Sequence, residues 1–225
     1  MRQIVLDTET TGLSYKEGHR VIEIGCIEMV NRRLTGNRLQ HYINPEREVE
    51  AEAIKIHGID NKFLQDKPVF KDIAKEFCDF INGAELIAHN APFDVGFLNN
   101  EFKLTKAQLG KIANYCEVID TLVLARKLHP GQRNSLDALS KRYNINCFNR
   151  ELHGALLDAE ILAQVYLSMT GGQATLFGED TQKSREQRAT VKVKQRSEKR
   201  KSLPVIEVSE EELAAHNKFL QLLDE

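Results

Sequence analysis

This chain has little of what marks zinc-bound, secreted or membrane-embedded proteins. Its four cysteines, Cys26, Cys78, Cys116 and Cys147, lie far apart and form no CxxC pair. That spacing argues against both a zinc site and a disulfide framework. Reduced, mostly buried thiols are the expectation, as in a cytosolic protein. No apolar run approaches the ~20 residues of a membrane span. Met1 to Leu6 runs straight into an acidic motif, so no signal peptide is expected there. A soluble, cytoplasmic protein is the expectation. There is no internal repeat. The net charge of −2 is small, but it conceals a strong asymmetry along the chain.

At 225 residues, 41% hydrophobic and 28% charged, the composition is ordinary for a globular protein. The length suits one good-sized domain with extensions, or two small ones. Gln3 to Asp7 is an apolar run ending in charge, as a buried central strand would. Val21 to Val30 and Leu34 to Ile43 are further strand candidates, joined around Asn31-Arg32-Arg33 in a mostly antiparallel meander. Val69 to Ile81 has helical spacing through Val69, Ile73, Phe77 and Phe80. Glu85 to Ala88 is a brief strand, and Pro92 opens the next helix where its missing N–H costs nothing. Val118-Ile119 is a last short strand, with helices near Thr121–Leu128 and Ser135–Tyr143. Gly154 to Met169 is a helix with Leu157, Ile161, Leu162 and Val165 on one side. The expectation is an α/β domain, a mixed five-stranded sheet covered by helices.

Gly171-Gly172 ends that domain. Thr181 to Lys201 holds nine basic residues against two acidic ones, +7, with almost nothing apolar. Such a segment reads as a disordered linker. Leu203 to Glu225 holds six acidic residues and Lys218, giving −5. Within it Ser209-Glu210-Glu211-Glu212 has the form of a capping box before Leu213, Phe219, Leu220 and Leu223. The expected partition is a domain at 1–172, a short motif at 173–178, a basic linker at 179–203 and an amphipathic tail at 204–225.

Three acidic motifs carry the chemistry. In a strand, alternate side chains face the same way, so Asp7 and Glu9 project together while Thr8 points to the other face. Gly12, in Thr10-Thr11-Gly12-Leu13, permits close backbone approach beside hydroxyls that could hold a terminal nucleotide. Asp94 falls in the first turn of a helix, just past the carboxyl end of a strand, where α/β folds build sites. His153 and Asp158 are five residues apart, about 140° around a helix, so they would not share a face. Their spacing fits if His153 lies in the loop before Gly154 while Asp158 points inward from the helix. A buried carboxylate is costly, and a metal ion would remove the penalty. A histidine at a helix N-terminus is kept neutral by the dipole, which suits a general base. Four carboxylates and one histidine are the equipment of a metal-dependent nuclease. Asp120 and Asp137 read instead as caps or surface groups. His19, His41, His129 and His216 show no partner in the sequence and read as structural or exposed.

Asp-x-Glu, then Asp, then His-x4-Asp resembles the DEDDh 3′→5′ exonucleases of the ribonuclease H-like fold. Asp7-Thr8-Glu9-Thr10-Thr11-Gly12, Ala88-His89-Asn90-Ala91-Pro92-Phe93-Asp94 and Leu152-His153-Gly154-Ala155-Leu156-Leu157-Asp158-Ala159 are similar to the proofreading subunits of bacterial DNA polymerase III. So is Gly131-Gln132-Arg133-Asn134-Ser135-Leu136-Asp137-Ala138-Leu139. The resemblance covers about residues 1–172, with no departure at the five catalytic positions. It implies a two-metal mechanism with Mg²⁺ or Mn²⁺, in which Asp7 bridges both ions. Glu9 and Asp158 would hold the ion that binds the attacking water, Asp94 would support the second, and His153 would take the water's proton. Thr8, Thr10, Gly12, Leu13, His57, Asn90 and Phe93 would surround the 3′-terminal nucleotide, which Asp7, Glu9 and Asp158 also touch. The product would be a nucleoside 5′-monophosphate.

The tail carries its own expectations. Gln173-Ala174-Thr175-Leu176-Phe177 resembles a sliding-clamp-binding motif, with Gln173, Leu176 and Phe177 filling a groove on the beta clamp. The tail 204–225 is similar to a segment that binds the polymerase alpha subunit, by helix-in-groove docking. Tethering would raise the local concentration of the nuclease at the primer end. A small third core subunit is known in some such complexes, but no readable motif for it is present. The linker could be solvated spacer or could touch DNA phosphates. Two other readings stay open at this level: a free-standing nuclease acting on RNA or short oligonucleotides, and a non-catalytic adaptor between clamp and polymerase.

Overall fold

The computed structural model describes residues 1–145 and 153–171. The clamp-motif residues Gln173, Leu176 and Phe177, the linker, the tail and Cys147 lie outside the described residues.

A five-stranded mixed sheet in the order β3-β2-β1-β4-β5 forms the centre, as the sequence predicts. The strands are β1 (Arg2–Thr10), β2 (Val21–Val30), β3 (Arg33–Tyr42), β4 (Glu85–Ala88) and β5 (Glu117–Asp120). β1 runs antiparallel to β2 and parallel to β4, and β5 continues parallel to β4. β1 is longer than its apolar run because Thr8, Glu9 and Thr10 keep pairing with β2, with a register shift between Glu9 and Thr10. The β2–β3 turn places Asn31 and Arg32 at φ 50° and 65°, both in the left-handed region used by tight two-residue hairpins. Arg32 is held there by α7 (Ala155–Thr170), donating to Thr170 Oγ1 at 2.7 Å and to the Leu167 carbonyl at 2.9 Å.

Alternation along β1 divides the core in two. Ile4 and Leu6 pack with Phe70, Ile73 and Phe77 of α3 (Phe70–Ile81), and with Phe97, Leu98 and Phe102 of α4 (Ala91–Leu104). Val5 faces the other way, with Ile27, Met29 and Ile87, against Ala159, Leu162, Ala163 and Tyr166 of α7. α5 (Thr121–Leu128) and α6 (Leu136–Arg142) close over the far side of α7 through Ala125, Leu139, Ile161 and Val165. Leu157 departs from the predicted apolar side of α7: it is exposed, while Asp158 beside it is buried. Pro92 is the second residue of α4 rather than the first, still within the turn whose N–H groups have no helical acceptor. Two short helices, α1 (Ala51–His57) and α2 (Asn61–Leu64), were not predicted at all. Among the described residues no helix is long and apolar enough to cross a membrane.

Candidate active site

The carboxyl ends of β1, β4 and β5 share one edge of the sheet, and the predicted site residues gather there. Asp7 and Glu9 are both half-buried on the α7 face, alternating with buried Thr8 and Thr10. α7 can start against this face because of Gly25, the cross-strand partner of Asp7. A Cβ on Gly25 would lie 2.3 Å from the backbone of Ala155 and Leu156. Glu23, 1% exposed, accepts from the Ala155 N–H at 3.1 Å and so caps α7 where Gly154 offers no side chain. Its other oxygen accepts from Gln40 Nε2 at 2.8 Å.

Asp158, in the first turn of α7, is buried. His153 lies in the preceding loop, half-exposed, with Nδ1 3.0 Å from Asp158 Oδ2. This is the loop-and-helix disposition that their spacing predicts. The His153 N–H donates to the Ile56 carbonyl at 3.1 Å, fastening that loop to the end of α1. Glu9, His153 and Asp158 each offer one ligand atom, all within 4.8 Å of one another. Two carboxylates that close fit a hard divalent cation, and the imidazole stands beside them, engaged with Asp158 through Nδ1.

Asp94 comes from the opposite face. Asn90 ends the turn after β4 at φ 66°. Its N–H donates at 3.2 Å to Asp120 Oδ1, which also caps α5 through the Leu122 N–H at 2.8 Å. Thr121 Oγ1 donates to the Ala88 carbonyl at 3.1 Å and lies 2.9 Å from His89 Nδ1. The turn so fixed delivers Asp94 to Thr8, whose hydroxyl donates to Asp94 Oδ1 at 2.7 Å. Burial pushes the Asp94 carboxyl up to about 7, against the opposing effect of the Thr8 hydrogen bond. Asp94 thus reaches the end of β1 from the face opposite to the one that carries Glu9.

The residues expected around a nucleotide lie on three segments. Thr10 Oγ1 donates to the Gly12 carbonyl at 2.7 Å, and Leu13 just beyond is 83% exposed. Phe93 is half-buried against Phe97, with ring centroids 4.9 Å apart, and Asn90 is exposed. His57, the last residue of α1, is buried, and its Nδ1 accepts from the Ile59 N–H at 3.0 Å. Burial lowers its pKa; the Thr10 backbone raises it in part, and the charge of His153 lowers it further. His57 thus stands between the loop after β1 and the histidine of the cluster.

Asp120 is a cap, as expected, and Asp137 sits in the first turn of α6, which Ser135 caps. His41 pairs with Glu76 at 3.0 Å and His129 with the Tyr143 hydroxyl at 2.8 Å; His216 lies outside the described residues. Sequence reasoning missed Glu23, Gly25 and the contacts of His19. A signal existed for the first two: an acid and a glycine interrupting the apolar strand Val21–Val30 are unusual enough to need a reason.

Comparison with known proteins agrees with this geometry. Residues 4–166 match the family model described as Exonuclease. DNA polymerase III subunit epsilon of Salmonella typhimurium is 54% identical over 228 residues, covering 99% of this chain and 93% of that protein. The Escherichia coli K12 subunit of the same name is 50% identical over 226 residues, with the same coverage of both chains. Among solved structures, Exonuclease X in complex with 5′ overhanging duplex DNA superposes with a TM-score of 0.60 at 28% identity, over 76% of this chain and 95% of that one. With the five motif residues at one sheet edge and identity of this extent over nearly the whole length, the chain belongs to the exonuclease family, in its branch of DNA polymerase III epsilon subunits.

Proposed function

We propose that the chain removes mispaired 3′-terminal nucleotides from DNA with two bound Mg²⁺ or Mn²⁺ ions, held by Asp7, Glu9, Asp94 and Asp158. Its family makes it a metal-dependent 3′→5′ DNA exonuclease that proofreads for a replicative polymerase. The observation that carries the residue assignment is the convergence of Glu9, His153 and Asp158 ligand atoms within 4.8 Å at the end of β1.

Divalent cations at such carboxylates lower the pKa of a coordinated water and offset charge on the phosphate. In the roles proposed, Asp7 would serve both ions, Glu9 and Asp158 would hold the one that supplies the attacking water, and Asp94 would support the second. With a proton on Nδ1 donated to Asp158, the His153 ring presents Nε2 as the acceptor for the proton of the attacking water. The water oxygen forms a bond to phosphorus as the bond to the departing 3′ oxygen breaks. A nucleoside 5′-monophosphate leaves, and the 3′ oxygen of the shortened strand takes a proton from solvent to become its 3′-hydroxyl. Thr8 positions Asp94, while the Thr10–Leu13 loop, His57, Asn90 and Phe93 hold the terminal nucleotide.

Residues 1–172 form the nuclease domain in this reading. Gln173, Leu176 and Phe177 bind the beta sliding clamp, 179–203 is a basic tether, and 204–225 docks on the polymerase alpha subunit. A small third subunit completes some such cores. The sequence pattern of the tail supports these assignments, with its +7 and −5 segments in succession.

The test is release of nucleoside monophosphate from a 3′-mispaired primer–template with Mg²⁺, for the wild type and Asp7→Ala together. Activity in the wild type and its loss in the variant is the expected result. A wild type that stays inactive even with the polymerase present would overturn it.

A further inference from the structure

A second polar assembly, buried at Thr11 and His19 and exposed at Glu50, follows the end of β1 and centres on His19. The ring is 4% exposed and sits directly on the loop after β1: a Cβ on Gly12 would lie 2.4–2.7 Å from three of its atoms. Its Nδ1 is 3.0 Å from Thr11 Oγ1 and its Nε2 is 3.1 Å from Glu50 Oε1. Thr11 Oγ1 already accepts from the Arg20 N–H at 3.0 Å, so its own proton is available for Nδ1. That leaves the ring proton on Nε2, directed at Glu50. Thr11 is tied at its backbone too: its N–H donates to Arg20 at 2.9 Å, and its carbonyl accepts from the Glu50 N–H at 3.1 Å.

Glu50 directly precedes α1, and α1 ends in His57. Through Thr11 and Glu50, His19 therefore joins the two segments that flank the proposed nucleotide pocket. Neither segment is stable alone. Thr11 to Leu13 belong to no strand or helix, and a helix of seven residues does not persist without tertiary support. The loop must also present Leu13, an exposed apolar side chain, in a fixed place. An aliphatic residue at position 19 could fill the same space, but it could not bond both segments.

We propose that His19 is a positioning residue, a buried bridge that sets the Thr10–Leu13 loop and α1 in one register and thereby governs how tightly the 3′-terminal nucleotide is held. This rests on the reading that Leu13 and His57 face that nucleotide.

The experiment is steady-state hydrolysis of a single-stranded oligonucleotide by the full chain, comparing wild type, His19→Ala, His19→Gln, Thr11→Val and Leu13→Ala. Thermal unfolding of each fixes an assay temperature well below its midpoint. His19→Ala should raise KM about tenfold with kcat within about twofold, as expected for loss of one net hydrogen bond in ground-state binding. His19→Gln, which keeps a donor for Glu50, should recover part of that loss, and Thr11→Val should reproduce part of it. If Leu13→Ala raises KM but His19→Ala and Thr11→Val do not, His19 is packing only and the proposal falls. The proposal also falls if kcat drops in step with stability and His19→Gln gives no rescue. If Leu13→Ala itself leaves KM unchanged, the nucleotide-loop reading fails, and the His19 proposal with it.

Discussion

The Thr8 hydroxyl and the Asp94 carboxylate meet at 2.7 Å, both buried, on the face of β1 turned away from Asp7 and Glu9. A strand residue that alternation directs away from the carboxylate face thus holds the one carboxylate that arrives from α4. Thr8→Val keeps the shape and removes the donor. It should lower stability by about 1–3 kcal/mol, the cost of leaving a buried acceptor short of a partner. Denaturant unfolding in chelator measures this, and Thr8→Ser should restore most of it. An unchanged midpoint in Thr8→Val would mean that Asp94 does not depend on Thr8.

The same carboxylate gives the metal-free protein a pH dependence of known sign. Asp94 is raised from its ordinary 3.8 to about 7, chiefly by burial. Between those values the folded state holds a proton that the unfolded state has released, so this group's contribution is full below pH 4 and lost as pH rises through about 7. Asp94→Asn removes the titration. In chelator, the unfolding midpoints of wild type and Asp94→Asn should diverge from pH 5 to 8, with the variant the more stable at pH 8. Parallel profiles would refute the assignment.

His153→Ala should leave divalent-cation binding largely intact and lower turnover by ~10²-fold or more, the usual cost of losing a general base. Calorimetry with Mn²⁺ and single-turnover hydrolysis separate the two effects. Unchanged turnover would remove His153 from the chemistry.

Gly25→Ala tests how α7 is seated. The added methyl would sit 2.3 Å from backbone atoms of Ala155 and Leu156. Backbone cannot rotate aside as a side chain can, so α7 must shift and carry Asp158 and His153 away from Glu9. A loss of about 1–3 kcal/mol or more is expected, together with most of the activity. Normal activity with normal stability would show that the start of α7 has slack.

Leu176→Ala combined with Phe177→Ala should weaken binding to the beta clamp while hydrolysis of free single strands stays at the wild-type rate. Surface plasmon resonance on immobilised clamp reads the first and monophosphate release the second. Equal clamp affinity would sink the motif.

Much of the sheet was legible from composition along the chain, because β2 and β4 begin and end where apolar runs do. The acids of the candidate site were legible for a different reason: Asp7 and Glu9 alternate at a strand end, Asp158 is an acid among apolar helix neighbours, and the three motifs together resemble a known family. α1 and α2 were not, since seven and four residues are too few to show a period. Nor was the service rendered by Glu23, Gly25, Thr8 and His19. Glu23 meets α7 across 132 positions of sequence and Thr8 meets Asp94 across 86, so neither contact leaves a local pattern. His19 lies only eight residues from Thr11, but its other partner, Glu50, directly precedes a helix too short to announce itself.

The seating of α7 has a temporal side. The helix that brings Asp158, and the loop that brings His153, are the last described parts of the domain, while Glu9 is among the first residues made. A chain still emerging during synthesis holds no histidine beside Glu9 until that late segment has been made. The Glu9–His153–Asp158 cluster is therefore complete only once α7 is seated on the face that Gly25 leaves open.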